Sequence, residues 1–171
     1  MERVAEFSKV SWERYRKDNT PATELGYDED DFKKMYDGIA LPQRATTGSA
    51  GYDFRAPFSF LLDPGQTMIV PTGIRCKIKD GWVLTVFPRS GLGFKYREML
   101  ANTVGIVDSD YYGSDNEGHI FLKIVNASTE HKRLVIHAGD AFAQGIFLPY
   151  GITESDDVQT VRNGGMGSTG A

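Results

Sequence analysis

The sequence predicts an all-β domain, a β-sandwich or a barrel-like jelly roll, with a short helical N-terminal elaboration and a Gly-rich C-terminal arm. Three observations lead there. Short runs rich in β-branched and aromatic residues follow one another at 49–54, 58–62, 67–72, 74–78, 82–87, 104–107, 119–126, 133–137 and 141–148. Glycine and proline punctuate them, and Pro64-Gly65 and Asp80-Gly81 mark tight turns. No long helical pattern separates the runs, as expected for a sandwich or a jelly roll.

Residues 1–43 differ in character from the rest. Val4-Ala5-Glu6-Phe7-Ser8-Lys9-Val10 alternates enough for an opening strand, and 11–17 reads as a short capped helix or turn behind Ser11. The stretch 28–37 predicts a second helix, because acids fill its first turn and complement the macrodipole. Phe32, Met35 and Tyr36 share one face of it, so it docks on something. Leu41-Pro42-Gln43-Arg44-Ala45-Thr46 is extended, and 44–149 holds the β domain. Beyond Pro149 the apolar pattern fades, and 150–171 ends in Arg162-Asn163-Gly164-Gly165-Met166-Gly167-Ser168-Thr169-Gly170-Ala171. That segment is either a disordered end or an arm that orders on a ligand.

With 171 residues the chain can build one domain with a real core. Its 40% hydrophobic and 25% charged content is that of an ordinary globular protein, and a net charge of −4 with dispersed Lys and Arg argues against a nucleic-acid surface. One cysteine, Cys76, excludes an intrachain disulfide and a Cys-rich metal site and reads as a buried strand thiol. His119, His131 and His137 lack metal-ligand spacing. No apolar run reaches membrane-spanning length and Met1-Glu2-Arg3 opens no signal peptide, so a cytoplasmic location is expected.

The chemistry concentrates in 101–120. The apolar flanks predict a β-hairpin joining 104–107 to 119–126, and its tip carries Asp108-Ser109-Asp110-Tyr111-Tyr112-Gly113. Open hairpin backbone can pair with a flat heterocycle, a tyrosine face can lie on a sugar, and a carboxylate can take a proton from water. An acidic, solvated turn is the plainer reading of the same residues. Asp53, in Ala50-Gly51-Tyr52-Asp53-Phe54, sits inside an apolar strand and needs a charged or hydrogen-bonding partner. Pro88-Arg89-Ser90-Gly91-Leu92-Gly93 offers a guanidinium fork, a hydroxyl donor and close backbone approach to an anion. Gln144, in Gly139-Asp140-Ala141-Phe142-Ala143-Gln144-Gly145, has both a donor and an acceptor. The Gly-rich end lacks the Gly-Lys-Ser/Thr of a phosphate-binding P-loop and has no helix after it.

Taken together and in this order, the five segments resemble the five motifs of the trimeric, all-β dUTP pyrophosphatase (dUTPase) family. The resemblance implies a jelly-roll-like distorted β-barrel and hydrolysis of dUTP to dUMP and pyrophosphate. That reaction keeps uracil out of DNA and supplies dUMP for dTMP synthesis. It places the general base on Asp108, activating a water that attacks the α-phosphorus. It assigns Asn102 and the backbone around Gly105 and Val107 to uracil, and Tyr111 to the deoxyribose face, where a 2′-hydroxyl finds no room. Arg89, Ser90, Gly91 and Gln144 would hold phosphates or the attacking water, with Asp53 orienting the arginine and Asp110 structural. Arg162, Gly164, Gly165, Met166, Gly167, Ser168 and Thr169 would form an arm that closes over a neighbouring subunit's site.

The same resemblance implies a homotrimer in which three subunits share each site: phosphate loops from one, hairpin from a second, arm from a third. It also implies Mg²⁺ held by the triphosphate and waters rather than by protein ligands. The chain departs from the family pattern at Met166, where an aromatic residue is usual, at Ala141, where a basic one is, and in a spacing one residue shorter after Arg162. The 114–117 insertion should form an outer loop. Three rivals are a dCTP deaminase on the same fold, a regulatory protein that engages a partner through arm closure, and a purely structural jelly roll.

Overall fold

The computed structural model describes residues 1–164. Strand β1 (Ala5–Lys9) opens the chain and is followed by three short helices, α1 (Trp12–Asp18), α2 (Thr20–Glu24) and α3 (Glu29–Gly38). Then come β2 (Gln43–Arg44), β3 (Tyr52–Arg55), β4 (Phe60–Leu62), β5 (Thr67–Pro71), β6 (Ile74–Ile78) and β7 (Trp82–Pro88). Helix α4 (Ser90–Tyr96) precedes β8 (Glu98–Leu100) and β9 (Gly105–Val107), and a 3-10 turn covers Ser109–Gly113. Strands β10 (Phe121–Asn126), β11 (Leu134–Ile136) and β12 (Ala141–Pro149) complete the domain. None of the helices among the described residues is long and apolar enough to cross a membrane.

The strands form four antiparallel sheets, ordered β2-β3-β12-β7-β9, β5-β10-β8, β1-β6 and β4-β11. Period-2 alternation decides which side chains face inward. In β10, Leu122, Ile124 and Asn126 are buried while Lys123 faces out; in β4 and β11 the outer residues of each triplet are buried and the middle one exposed. Phe54, Phe58, Leu84, Leu100, Ile124, Leu134 and Phe142 lie at the centre, each worth roughly 1.5–3 kcal/mol of burial. Cys76 is buried on β6, as expected, and burial raises its thiol pKa.

The N-terminal elaboration packs on this barrel. Asp28 and Asp31 form a reciprocal capping box at the start of α3, and Phe32 is buried beneath it. Tyr36 stands edge-on to Trp12 and donates its hydroxyl to Val10 O at 2.8 Å, so α3 docks on α1 and the end of β1 through the predicted face.

Three expectations fail. The 104–107 and 119–126 strands do not pair with each other: β9 pairs with β7, and β10 lies between β5 and β8. Gly105 suits the first pairing, because a Cβ there would stand a tight 3.2 Å from Val86 Cβ, and glycine lets β9 lie close to β7 without displacing that side chain. Second, the residues after Arg89 are helical rather than a loop, although Gly91 and Gly93 lower helix propensity. Third, 114–117 is no outer loop. Ser114 is buried and the Glu117 carboxylate accepts from the Ser11 N–H at 2.8 Å and the Ser11 hydroxyl at 2.7 Å.

Candidate functional site

β9 and the turn that follows it build one wall of a cavity of about 540 Å³, a size that suits a small organic ligand. Of the residues picked out from sequence, Asn102, Gly105, Val107, Asp108, Tyr111 and Arg162 line it. The slot is mainly apolar inside, with Ile120 and Leu122 at its back and Lys123 among its charged groups. All three residues of β9 line the slot, Gly105 and Val107 buried and Ile106 exposed.

At the mouth of the slot the acids meet the arm. Arg162 Nη2 lies 2.7 Å from Asp108 Oδ2 and Arg162 Nε 2.9 Å from Asp110 Oδ1, a fork spread across two carboxylates. The guanidinium carbon stands 5.7 Å from the centre of the Tyr111 ring. The arm therefore folds back onto the Asp108 of its own chain. Residues 150–161 carry no helix or strand, and extended chain covers about 3.3 Å per residue, so the reach is ample. Asp110 is half-exposed and engages the arm rather than the interior.

Tyr111 is buried, and its hydroxyl donates to His119 O at 2.7 Å while accepting from Asn116 Nδ2 at 2.8 Å. Burial raises its phenol pKa, and the Asn116 donor and the charge of Arg162 oppose that rise.

The remaining candidates gather elsewhere. Asp53 and Gln144 face each other across β3 and β12, and β12 also pairs with the end of β7, from which Arg89 projects. Arg89 Nε lies 3.4 Å from Asp53 Oδ1, an ion pair between the arginine and the partly buried aspartate expected to orient it. Gln144 Nε2 donates to Pro88 O at 3.1 Å, and a Cβ on Gly51 would come within 2.7 Å of its amide oxygen. Ser90 and Gly91 are exposed at the first turn of α4. None of these residues lines the slot. Thus one chain carries two half-sites, an apolar slot with an acid at its mouth and a separate donor corner. Gly164 is partly buried, whereas Gly165, Met166, Gly167, Ser168 and Thr169 lie outside the described residues.

Sequence reasoning missed two features beside these half-sites. Glu98, at the start of β8, is buried, and neither carboxyl oxygen has a hydrogen-bond partner among the described residues. Burial pushes its pKa up to about 8, against the weaker pull of the nearby Arg89 N–H. His119, buried completely, meets Asp18 of α1 at 2.8 Å across 101 positions of chain, a separation that no local pattern reveals.

A mainly apolar slot with an acid at its mouth, set apart from a cationic, hydroxyl-bearing corner, is an arrangement suited to a phosphorylated organic ligand. The family model described as dUTPase matches residues 37–171. The deoxyuridine 5′-triphosphate nucleotidohydrolase of Lactococcus lactis subsp. lactis is 40% identical over 137 residues, covering 78% of this chain and 90% of that one. The protein of the same name from Psychromonas ingrahamii is 45% identical over 112 residues, covering 64% of this chain and 70% of its own length. Among solved structures, the dUTPase from Streptococcus mutans superimposes with a TM-score of 0.63 at 30% identity, over 86% of this chain and 98% of that one. The chain belongs to the dUTPase family.

Proposed function

We propose that this dUTPase hydrolyses dUTP to dUMP and pyrophosphate by in-line attack of water on the α-phosphorus, with Asp108 as general base. The observation that carries this reading is the position of Asp108, at the mouth of an apolar slot and in contact with the arm's arginine. A carboxylate held by a guanidinium is a poor base for water. A triphosphate is the competitor that would draw Arg162 off Asp108, leaving the carboxylate to take the proton. Uracil occupies the slot against Asn102 and the β9 backbone, and the sugar lies on Tyr111. A 2′-hydroxyl pressed on that buried ring would lose its water without gaining a partner.

Arg89, Ser90, Gly91 and Gln144 take the phosphate side. Their separation from the slot within one chain supports a homotrimer in which the donor corner comes from a neighbour. Exposed apolar side chains on this chain, Phe94 on α4 and Ile106 on β9, are of the kind such an interface would cover. In the trimer the arm carrying Arg162, Met166, Gly167 and Ser168 would exchange the contact with its own Asp108, seen in the single chain, for a neighbouring subunit's site. Mg²⁺ fits as an ion carried by the triphosphate and water, since the donor corner is cationic and the slot offers Asp108 on only one side. Bound there, it neutralises phosphate charge. We place the enzyme in the cytoplasm.

The test is pyrophosphate release from dUTP, dTTP, dCTP and UTP in Mg²⁺, with ammonia followed in parallel. Release from dUTP far above the other three is expected. Ammonia from dCTP would replace this reading with a deaminase.

A further inference from the structure

The N-terminal elaboration reaches the nucleotide slot through the loop after Tyr111. Helix α1 grips this loop at three points. Ser11, which caps α1, gives its N–H and hydroxyl to the Glu117 carboxylate. Arg14 Nη2 donates to Asp115 O at 2.8 Å. Asp18 Oδ2 lies 2.8 Å from His119 Nδ1. On the other side of the ring, His119 Nε2 accepts the Gly73 N–H at 2.8 Å, so the proton sits on Nδ1 and is donated to Asp18. Burial works against the Asp18 carboxylate, but His119 and Arg14 outweigh it and hold the pKa below its ordinary value.

The loop in turn grips Tyr111. His119 O accepts the tyrosine hydroxyl, and Asn116 Nδ2 donates to it. Between these contacts the backbone is left-handed at Glu117 (φ 61°) and Gly118 (φ 69°), a conformation that L-residues adopt only when held there. Within the loop, the Glu117 N–H donates to Ser114 O at 2.8 Å and the Gly118 N–H to Asn116 Oδ1 at 3.2 Å, and the α1 contacts add the hold on the Glu117 side chain. The far edge of the Tyr111 ring is thus fixed by a chain of partners that begins outside the slot.

We propose that Asp18, His119 and Glu117 are positioning residues for Tyr111, through which helix α1 sets the preference for deoxyribose over ribose. The proposal rests on Tyr111 being the sugar platform. Were the loop released, the ring could withdraw and leave room for a 2′-hydroxyl.

The experiment compares kcat/KM for dUTP and for UTP in the full chain, together with melting temperatures, for Asp18→Ala, Asp18→Asn, Glu117→Ala and Tyr111→Ala. Asp18→Ala and Glu117→Ala should each lower the dUTP-to-UTP ratio by roughly tenfold, the scale of one lost buried hydrogen bond. Asp18→Asn, whose amide oxygen still accepts from Nδ1–H, should restore most of the ratio. If Asp18→Ala does not fold, Glu117→Ala carries the comparison. Equal losses for both substrates with the ratio unchanged would show a merely structural contact and overturn the proposal. Tyr111→Ala separates the two levels. A ratio unmoved by Tyr111→Ala would remove the sugar-platform reading, and the proposal with it. A ratio moved by Tyr111→Ala alone would remove only the role of α1.

Discussion

Arg162 and Glu98 show how far a residue's setting changes what it can do. Arg162 stands out in sequence as a candidate phosphate ligand in a Gly-rich arm, but its pairing with Asp108 and Asp110 was not legible, because neither spacing nor charge says which acids an arm will reach. Glu98 gave no signal at all. Its neighbours Arg97 and Met99 mark it neither as buried nor as unpaired, and burial follows only from β8 lying under β10. Its ordinary pKa of 4.5 is raised to about 8 in the fold. Below 4.5 folded and unfolded chains both hold the proton and the contribution is intact. Between the two values only the unfolded chain releases it, so stability falls as pH climbs, and the loss is complete above about 8. Wild-type protein should therefore melt at progressively lower temperature from pH 5 to pH 9. Glu98→Gln should flatten that slope, a difference on the order of a few kcal/mol at the alkaline end. Equal slopes in the two proteins would mean that Glu98 is solvated or paired.

Secondary elements were legible where alternation was strong. The nine runs predicted between 49 and 148 all contain strands, β3–β7 and β9–β12, whereas the short β8 was not predicted. Burial alternates with a period of 2 in β4, β6, β9, β10 and β11. Partner choice was not legible. A hairpin between 104–107 and 119–126 has the right composition, yet β9 pairs with β7, where Gly105 accommodates the close approach of Val86. Helices α2 and α4 went unseen because each is short, and α4 holds two glycines. The loop 114–119 was misjudged because its partners lie on α1, far off in sequence. Gly118 is the position where that loop is least forgiving. A Cβ there would stand 2.7 Å from Tyr112 Cα and 2.8 Å from Tyr111 O, both backbone atoms that cannot step aside, at a φ of 69°. By contrast Gly81, with φ 81°, has open space around it. Gly118→Ala should cost clearly more than Gly81→Ala in denaturant midpoint, at least about 1–3 kcal/mol against wild type. Equal costs would mean that the loop can shift to admit a side chain.

At the scale of the molecule, the members of each grouping were legible residue by residue, and their separation within one chain is what the resemblance implies by assigning phosphate loops and hairpin to different subunits. Asn102, Gly105, Val107, Asp108, Tyr111 and Arg162 meet at the slot; Asp53, Arg89 and Gln144 meet at the far end of β7. Their roles in order along the chain came from the motifs, and their division in space is set by strand order, which places β9 on one side of β7 and β12 on the other. A shared site in a trimer would unite them, with Asp108 as its base. The most direct measurement is pyrophosphate release from dUTP by Asp108→Asn, by Arg89→Ala, and by the two chains assembled together. Each variant alone should lose at least about a hundredfold. Mixed trimers should recover about a quarter of the wild-type rate, because one site in four would draw an intact Asp108 and an intact Arg89 from different chains. Turnover by Asp108→Asn at the wild-type rate would remove Asp108 as the base and the shared site built around it.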